Sequence, residues 1–201
     1  SDEGYNYYGY YKDKDKLFSI WDHCTIYIPI LVPEKTLNYY RKTVQYGLIE
    51  QDYEKVTTEI DKAMKYLADG KYSHEPIIFK TFFSMAEVMA KLQHEPETTY
   101  FYNARVIDDI LKMQQLLDNH KLGDILLLKG VNAYYAKKKD DVYYSFKEAY
   151  KHYSAGETSR YWIKKDLLEE NIRYTFTELG IYKTGYDMSF LPAECRQPLT
   201  I

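Results

Sequence analysis

The residues with the means to do chemistry are few and scattered. They are five histidines (His23, His74, His94, His120, His152), two cysteines (Cys24, Cys195) and the adjacent pair Glu169-Glu170. A helical di-iron centre needs Glu-x-x-His pairs on facing helices, and the chain has none. It also lacks His-Glu-x-x-His and Cys-x-x-Cys, the spacings that set zinc ligands on one face or turn. His23 and Cys24 are neighbours, but a nucleophile and its base must oppose each other in space rather than in sequence. The apolar residues around Cys24 suit a buried, inert thiol. Glu169 and Glu170 point in different directions from one helix, which predicts solvated carboxylates. No Gly-x-Ser-x-Gly elbow and no glycine-rich phosphate loop is present. The two His-Glu-Pro tripeptides, at 74–76 and 94–96, read as helix entries. Lys137-Lys138-Lys139-Asp140-Asp141 reads as a self-neutralising turn. The expectation is a chain without catalytic residues, metal or cofactor. An enzyme whose residues are dispersed over several helices is the alternative.

Composition narrows the partner. The net charge is −3, and arginine supplies 5 of the 27 basic residues. A near-neutral chain poor in the planar guanidinium fork is not built to grip nucleic acid. No apolar run reaches the roughly 18 residues of a membrane span. Two cysteines so far apart form no disulfide framework, although one bridge between the ends stays open. A reducing, cytoplasmic setting is expected, with a removed leader or lipid-anchor cysteine upstream of Ser1 left open. Tyrosine is in excess, at 24 residues. Codon bias and an interaction surface both account for it, since Tyr joins an apolar body to a polar tip.

The elements that would carry such a surface are helices. Residues 1–15 form a tyrosine-rich arm without period. Residues 16–32 are apolar and read as a helix broken before Pro29, or as a strand. Pro33 opens a helix to about Glu50, and a second runs from about Asp52 to Ala68. A third follows Pro76. A fourth, capped by Thr98 or Thr99, is expected to reach about Asn119, with Val106, Ile107, Ile110, Leu111, Met113 and Leu117 as its apolar stripe. Gly123 punctuates the turn before helices five and six, and Gly156 ends them. A seventh helix, capped at Thr158 or Ser159, closes at Gly180. Residues 181–201 read as a tail docked by Phe190 and Leu191. Gly47 and Gly130 fall inside helices, where glycine costs roughly 1 kcal/mol against Ala and implies close helix–helix approach.

Two of these hairpins repeat. Tyr39–Leu67 overlays Ile125–Tyr153 with a shift of 86 residues, setting Val56 on Val142, Ile60 on Phe146, Ala63 on Ala149 and Met64 on Tyr150. Half that shift, 43, places Val106 of a middle hairpin midway between Ala63 and Ala149.

On these residues the chain resembles the tetratricopeptide repeat family. Tyr40, Tyr53 and Ala63 match its pattern in the first copy, and Gly130 and Ala149 in the second. Val56, Val142 and Lys139 depart from it, and the step of 43 exceeds the family's 34. The expectation is an all-α fold of about seven helices: antiparallel hairpins at 34–69, 77–119 and 123–155 with a closing helix at 158–179, stacked as a single domain over 16–180. An irregular helical bundle is the alternative. The resemblance implies a concave inner face lined by the first helix of each hairpin. Asn38, Arg41, Gln45 and Leu48 would face it from the first copy. Leu127, Val131, Tyr134 and Tyr135 would do so from the second, with Leu127 and Val131 equally readable as core. Such a face suits a protein or peptide, so a non-enzymatic scaffold or adaptor is expected. A regulatory helical protein, such as a signalling-peptide receptor domain or a toxin-neutralising immunity protein, is the second reading.

Overall fold

The computed structural model describes residues 33–69, 76–155 and 165–200. Expectations about the tyrosine-rich arm, residues 16–32, Cys24, Gly70, Gly156 and the cap at Thr158 or Ser159 lie outside them. The described residues form seven α-helices and no strand: α1 Pro33–Glu50, α2 Tyr53–Ala68, α3 Pro76–Lys91, α4 Pro96–Leu111, α5 Asn119–Tyr135, α6 Lys139–Ala155 and α7 Lys165–Glu178. Short 3-10 turns follow at Gln114–Leu116, Ile181–Lys183 and Ala193–Cys195. The fold is all-α.

The chain divides into two compact units between Gln93 and His94. The division falls in the turn of the expected 77–119 hairpin, so α3 and α4 belong to different units. In the first unit α1, α2 and α3 pack on one another. Asp52 caps α2 by accepting the Lys55 N–H at 3.2 Å, satisfying one of the donors that a helix start leaves open. Val56, Ile60 and Ala63 then recur at helical spacing and are buried, while Met64 on the same stripe is exposed. Gly47 explains how close α1 comes to α2: a Cβ there would sit 2.6 Å from Cγ2 of Val56.

In the second unit α4 packs on α5, α5 on α6 and α6 on α7. The same logic recurs at Gly130, whose added Cβ would meet the Phe146 ring at 3.1 Å. The core runs through Ile125 and Leu128 of α5, Phe146 and Tyr153 of α6, and Leu168, Ile172 and Phe176 of α7. Each such side chain, fully withdrawn from water, contributes about 1.5–3 kcal/mol before the entropy of ordering is set against it.

Three boundaries differ from expectation. Pro96 starts α4, because its missing N–H would have no intrahelical partner anyway; Thr99 is then buried inside the helix rather than capping it. The helix stops at Leu111, and the turn lies at 112–118. Gly123, expected in that turn, is buried within α5. Gly180 does end its helix, in the left-handed region at φ 68°, where glycine carries no steric penalty.

Residues 181–200 fold as a closing segment over α6 and α7. Phe190 and Leu191 anchor it as expected: Leu191 is buried, and Phe190 meets the rings of Tyr143 and Tyr150. Tyr186 stacks on Tyr143 at 4.2 Å between ring centroids. Backbone carbonyls of the segment are taken up by side chains: Arg173 Nε donates to Gln197 O at 2.9 Å, Tyr182 to Cys195 O at 2.7 Å, and Tyr143 to Asp187 O. Cys195 is a free, buried thiol, which burial pushes above its usual range. It takes no part in the bridge that the sequence left open.

Candidate partner-binding surface

The hairpin turns explain the 86-residue repeat. Gln51 and Lys137 both adopt left-handed backbone, at φ 60° and 55°. The N–H of the next residue reaches back five positions in each, Asp52 to Gly47 O at 2.9 Å and Lys138 to Ala133 O at 3.0 Å. Gln51 and Lys137 themselves donate to Leu48 O and Tyr134 O, at 3.2 and 3.0 Å. Both turns are Schellman motifs, which satisfy carbonyls that the end of a helix leaves open. Ala63 and Ala149 are fully buried in equivalent places. Val106, the expected middle member of that series, is 42% exposed and does not share their environment.

The residues expected on an open inner face are largely enclosed. Arg41 and Leu48 are buried, and Gln45 is half-buried; the Asn38 side chain lies outside the described residues. The cause is that α1 is covered on nearly all sides, with Thr36, Lys42, Thr43, Val44 and Tyr46 buried as well. In α5, Leu127 is buried and Val131 half-buried. Tyr134 and Tyr135 are half-buried, their rings edge to face at 5.5 Å. The Tyr134 hydroxyl donates to Glu178 of α7. Burial first, and this bond second, raise its pKa above the ordinary tyrosine value.

Tyr134 is one of four tyrosines in the second unit that donate to a carboxylate on another helix. Tyr100 of α4 reaches Asp141 of α6, Tyr150 of α6 reaches Glu169 of α7, and Tyr153 of α6 reaches Asp124 of α5. Glu169, expected in solvent, is half-buried and holds its helix to α6 through this bond at 2.9 Å. Desolvation, helped by Asp141, pushes Tyr100 up to about 12, and desolvation with Glu169 raises Tyr150. Internal latching is thus a use of tyrosine that composition alone does not reveal.

The surface that sequence reasoning missed is on α4. Its stripe was expected to be core, yet Ile107 alone of those six residues is fully buried. The helix turns Thr99, Asn103 and Ile107 inward, and turns Phe101, Tyr102 and Val106 outward. Phe101 is 65% and Tyr102 60% exposed, and Met113 and Leu116 (73% exposed) extend the apolar stripe past the helix end. Hydrogen bonds fix this inverted orientation. Asn132 of α5, itself buried, donates to the Tyr100 carbonyl at 3.1 Å, and Lys138 pairs with Glu97 at 2.9 Å while lying over the Tyr100 ring. A helix whose large apolar side chains face water beside buried Thr and Asn is the reverse of a surface helix, and clustered exposed apolar residues mark contact sites.

No protein-family model, curated protein or solved structure matches the chain. Among the described residues no group of His, Cys, Asp or Glu is placed to hold a metal ion, and no helix is long and apolar enough to cross a membrane.

Proposed function

We propose that this chain is a non-enzymatic, protein- or peptide-binding module of helical hairpins, a tetratricopeptide-like scaffold, whose contact surface is the outer face of α4. The inverted orientation of α4 carries this reading, because Phe101, Tyr102 and Val106 gain from burial only when something else covers them. Aromatic anchors of this kind dominate the energetics of protein contacts. The α5–α6 hairpin of the same unit supplies the frame, and the latches Tyr100–Asp141 and Lys138–Glu97 hold α4 to it.

The test is capture by the immobilised protein in the cell it comes from, compared with a Val106→Glu variant. Val106 is exposed on the outer side of α4, so its replacement should leave far-UV CD unchanged and the melting curve little moved. The expected result is a bound protein lost from the variant. Retention of every bound species by both would sink this face.

A further inference from the structure

We propose that the occupant of the α4 face is a second copy of this chain, docked antiparallel through α4 itself; the proposal rests on reading that face as a contact surface. A two-fold contact demands a surface that complements itself, each residue meeting the residue equally far beyond the axis. With the axis at the level of Ile107, Arg105 of each copy lies opposite Asp109 of the other. Phe101, six residues before that level, then lies against Met113, six beyond it, an aromatic–thioether contact.

The charges are available for this pairing. Arg105 is exposed and makes no ion pair among the described residues. Asp109 is exposed and meets only Lys112 of its own helix, at 3.1 Å, a solvent-screened i,i+3 contact of little worth. The order along the outer face, with a cation on the N-terminal side of the axis and an anion on the C-terminal side, makes two ion pairs when the helix is turned end for end. A parallel arrangement would set like against like. One helix face is smaller than the roughly 800 Å² per partner of a standard stable interface, so the dimer is a weak one, with Kd on the order of 10–100 μM.

Sedimentation velocity on the full chain, over roughly 5–300 μM, tests it. The wild type should shift from monomer to dimer across that range. Arg105→Asp sets two like-charged pairs across the axis and should weaken the dimer about tenfold or more, as should Asp109→Arg alone. The double exchange R105D/D109R restores the pairing with its sense reversed and should recover the dimer. A wild type that stays monomeric throughout, or an Arg105→Asp variant that dimerises as the wild type does, overturns the proposal. Monomeric wild type together with Val106-dependent capture of another protein would overturn the second copy while leaving the contact face in place.

Discussion

Hairpin α1–α2 and hairpin α5–α6 end their first helices in the same turn but fill the space between the helices differently. Where the second has Gly130 against Phe146, the first has Val44 and Ile60 at the corresponding positions. Where the first has Gly47 against Val56, the second has Ala133 and Val142 at the corresponding positions. Volume lost from one helix is returned by the other, so the two helices can keep their approach. Charge differs as well: buried Arg41 and Lys42 stand where the second hairpin buries Leu127 and Leu128. The backbone turn is therefore the repeated feature, and the core is a local solution fitted around it.

The largest expected effect breaks that compensation. Gly130→Val puts branched carbon where the Phe146 ring already lies at 3.1 Å, and should cost about 3 kcal/mol. Phe146→Ile alone leaves a cavity beside Gly130 and should cost about 2 kcal/mol. Together they recreate the Val–Ile pair of the first hairpin. The double variant should fall short of the summed cost by at least about 1 kcal/mol in a urea-denaturation cycle. Simple additivity would mean that the two hairpins do not solve one packing problem.

The second effect concerns a latch that only one hairpin owns. Tyr153 donates to buried Asp124, and the corresponding first-hairpin positions hold Leu67 and Asn38. Tyr153→Phe keeps the ring and removes the donor, at an expected cost of about 1–3 kcal/mol. Leu67→Phe, with no hydroxyl bond at stake, should stay within about 0.5 kcal/mol. Hydrogen exchange, read hairpin by hairpin, would show whether the loss is confined to α5 and α6.

Much of this frame was legible from local signals. Pro33, the Asp52 cap and Gly180 mark helix ends by their own backbone chemistry, and the interior glycines Gly47 and Gly130 announced close approach. The orientation of α4 was not legible, because Phe101, Val106 and Ile107 offer apolar arcs on more than one side. The decision comes from Asn132, Lys138 and Asp141, more than twenty residues away in sequence. The closing segment was legible in its anchors, Phe190 and Leu191, but not in its main-chain order. Its order rests on Arg173, Tyr143 and Tyr182 bonding to main-chain carbonyls, and such bonds leave no period in a sequence.

A smaller effect follows from the raised tyrosines. Tyr100 is held at about 12 against an ordinary value of 10.0, and Tyr134 and Tyr150 are raised too. The folded state thus keeps protons that the unfolded chain gives up. Stability from these groups is complete below pH 10 and falls as pH rises from 10 to 12, through the Tyr100 value. Tyr40, raised by burial and then by Glu59, is the counterpart in the first hairpin. Three raised tyrosines bonded to carboxylates, against one raised by burial and a nearby charge, predict that alkaline exchange opens α5–α6 more steeply than α1–α2. Equal slopes would show that the hydroxyl–carboxylate bonds contribute nothing particular to the second hairpin.

The smallest effect tests the likeness rather than the difference. Gln51 and Lys137 hold left-handed backbone with side chains that crowd their own carbonyl, a strain of roughly 1–2 kcal/mol. Glycine removes that strain but enlarges the conformational freedom of the unfolded chain, which offsets roughly 0.5–1 kcal/mol of the gain. Gln51→Gly and Lys137→Gly should therefore each stabilise by about 0.5–1 kcal/mol. Neither removes a main-chain hydrogen bond, because glycine keeps the N–H that reaches Leu48 or Tyr134. The informative quantity is the ratio of the two gains. If the turns are one motif used twice, the gains agree within error of the urea midpoints, although the cores around them differ. A gain at one site and a loss at the other would mean that the shared hydrogen bonds close over different strain, and that the hairpins are alike in outline alone.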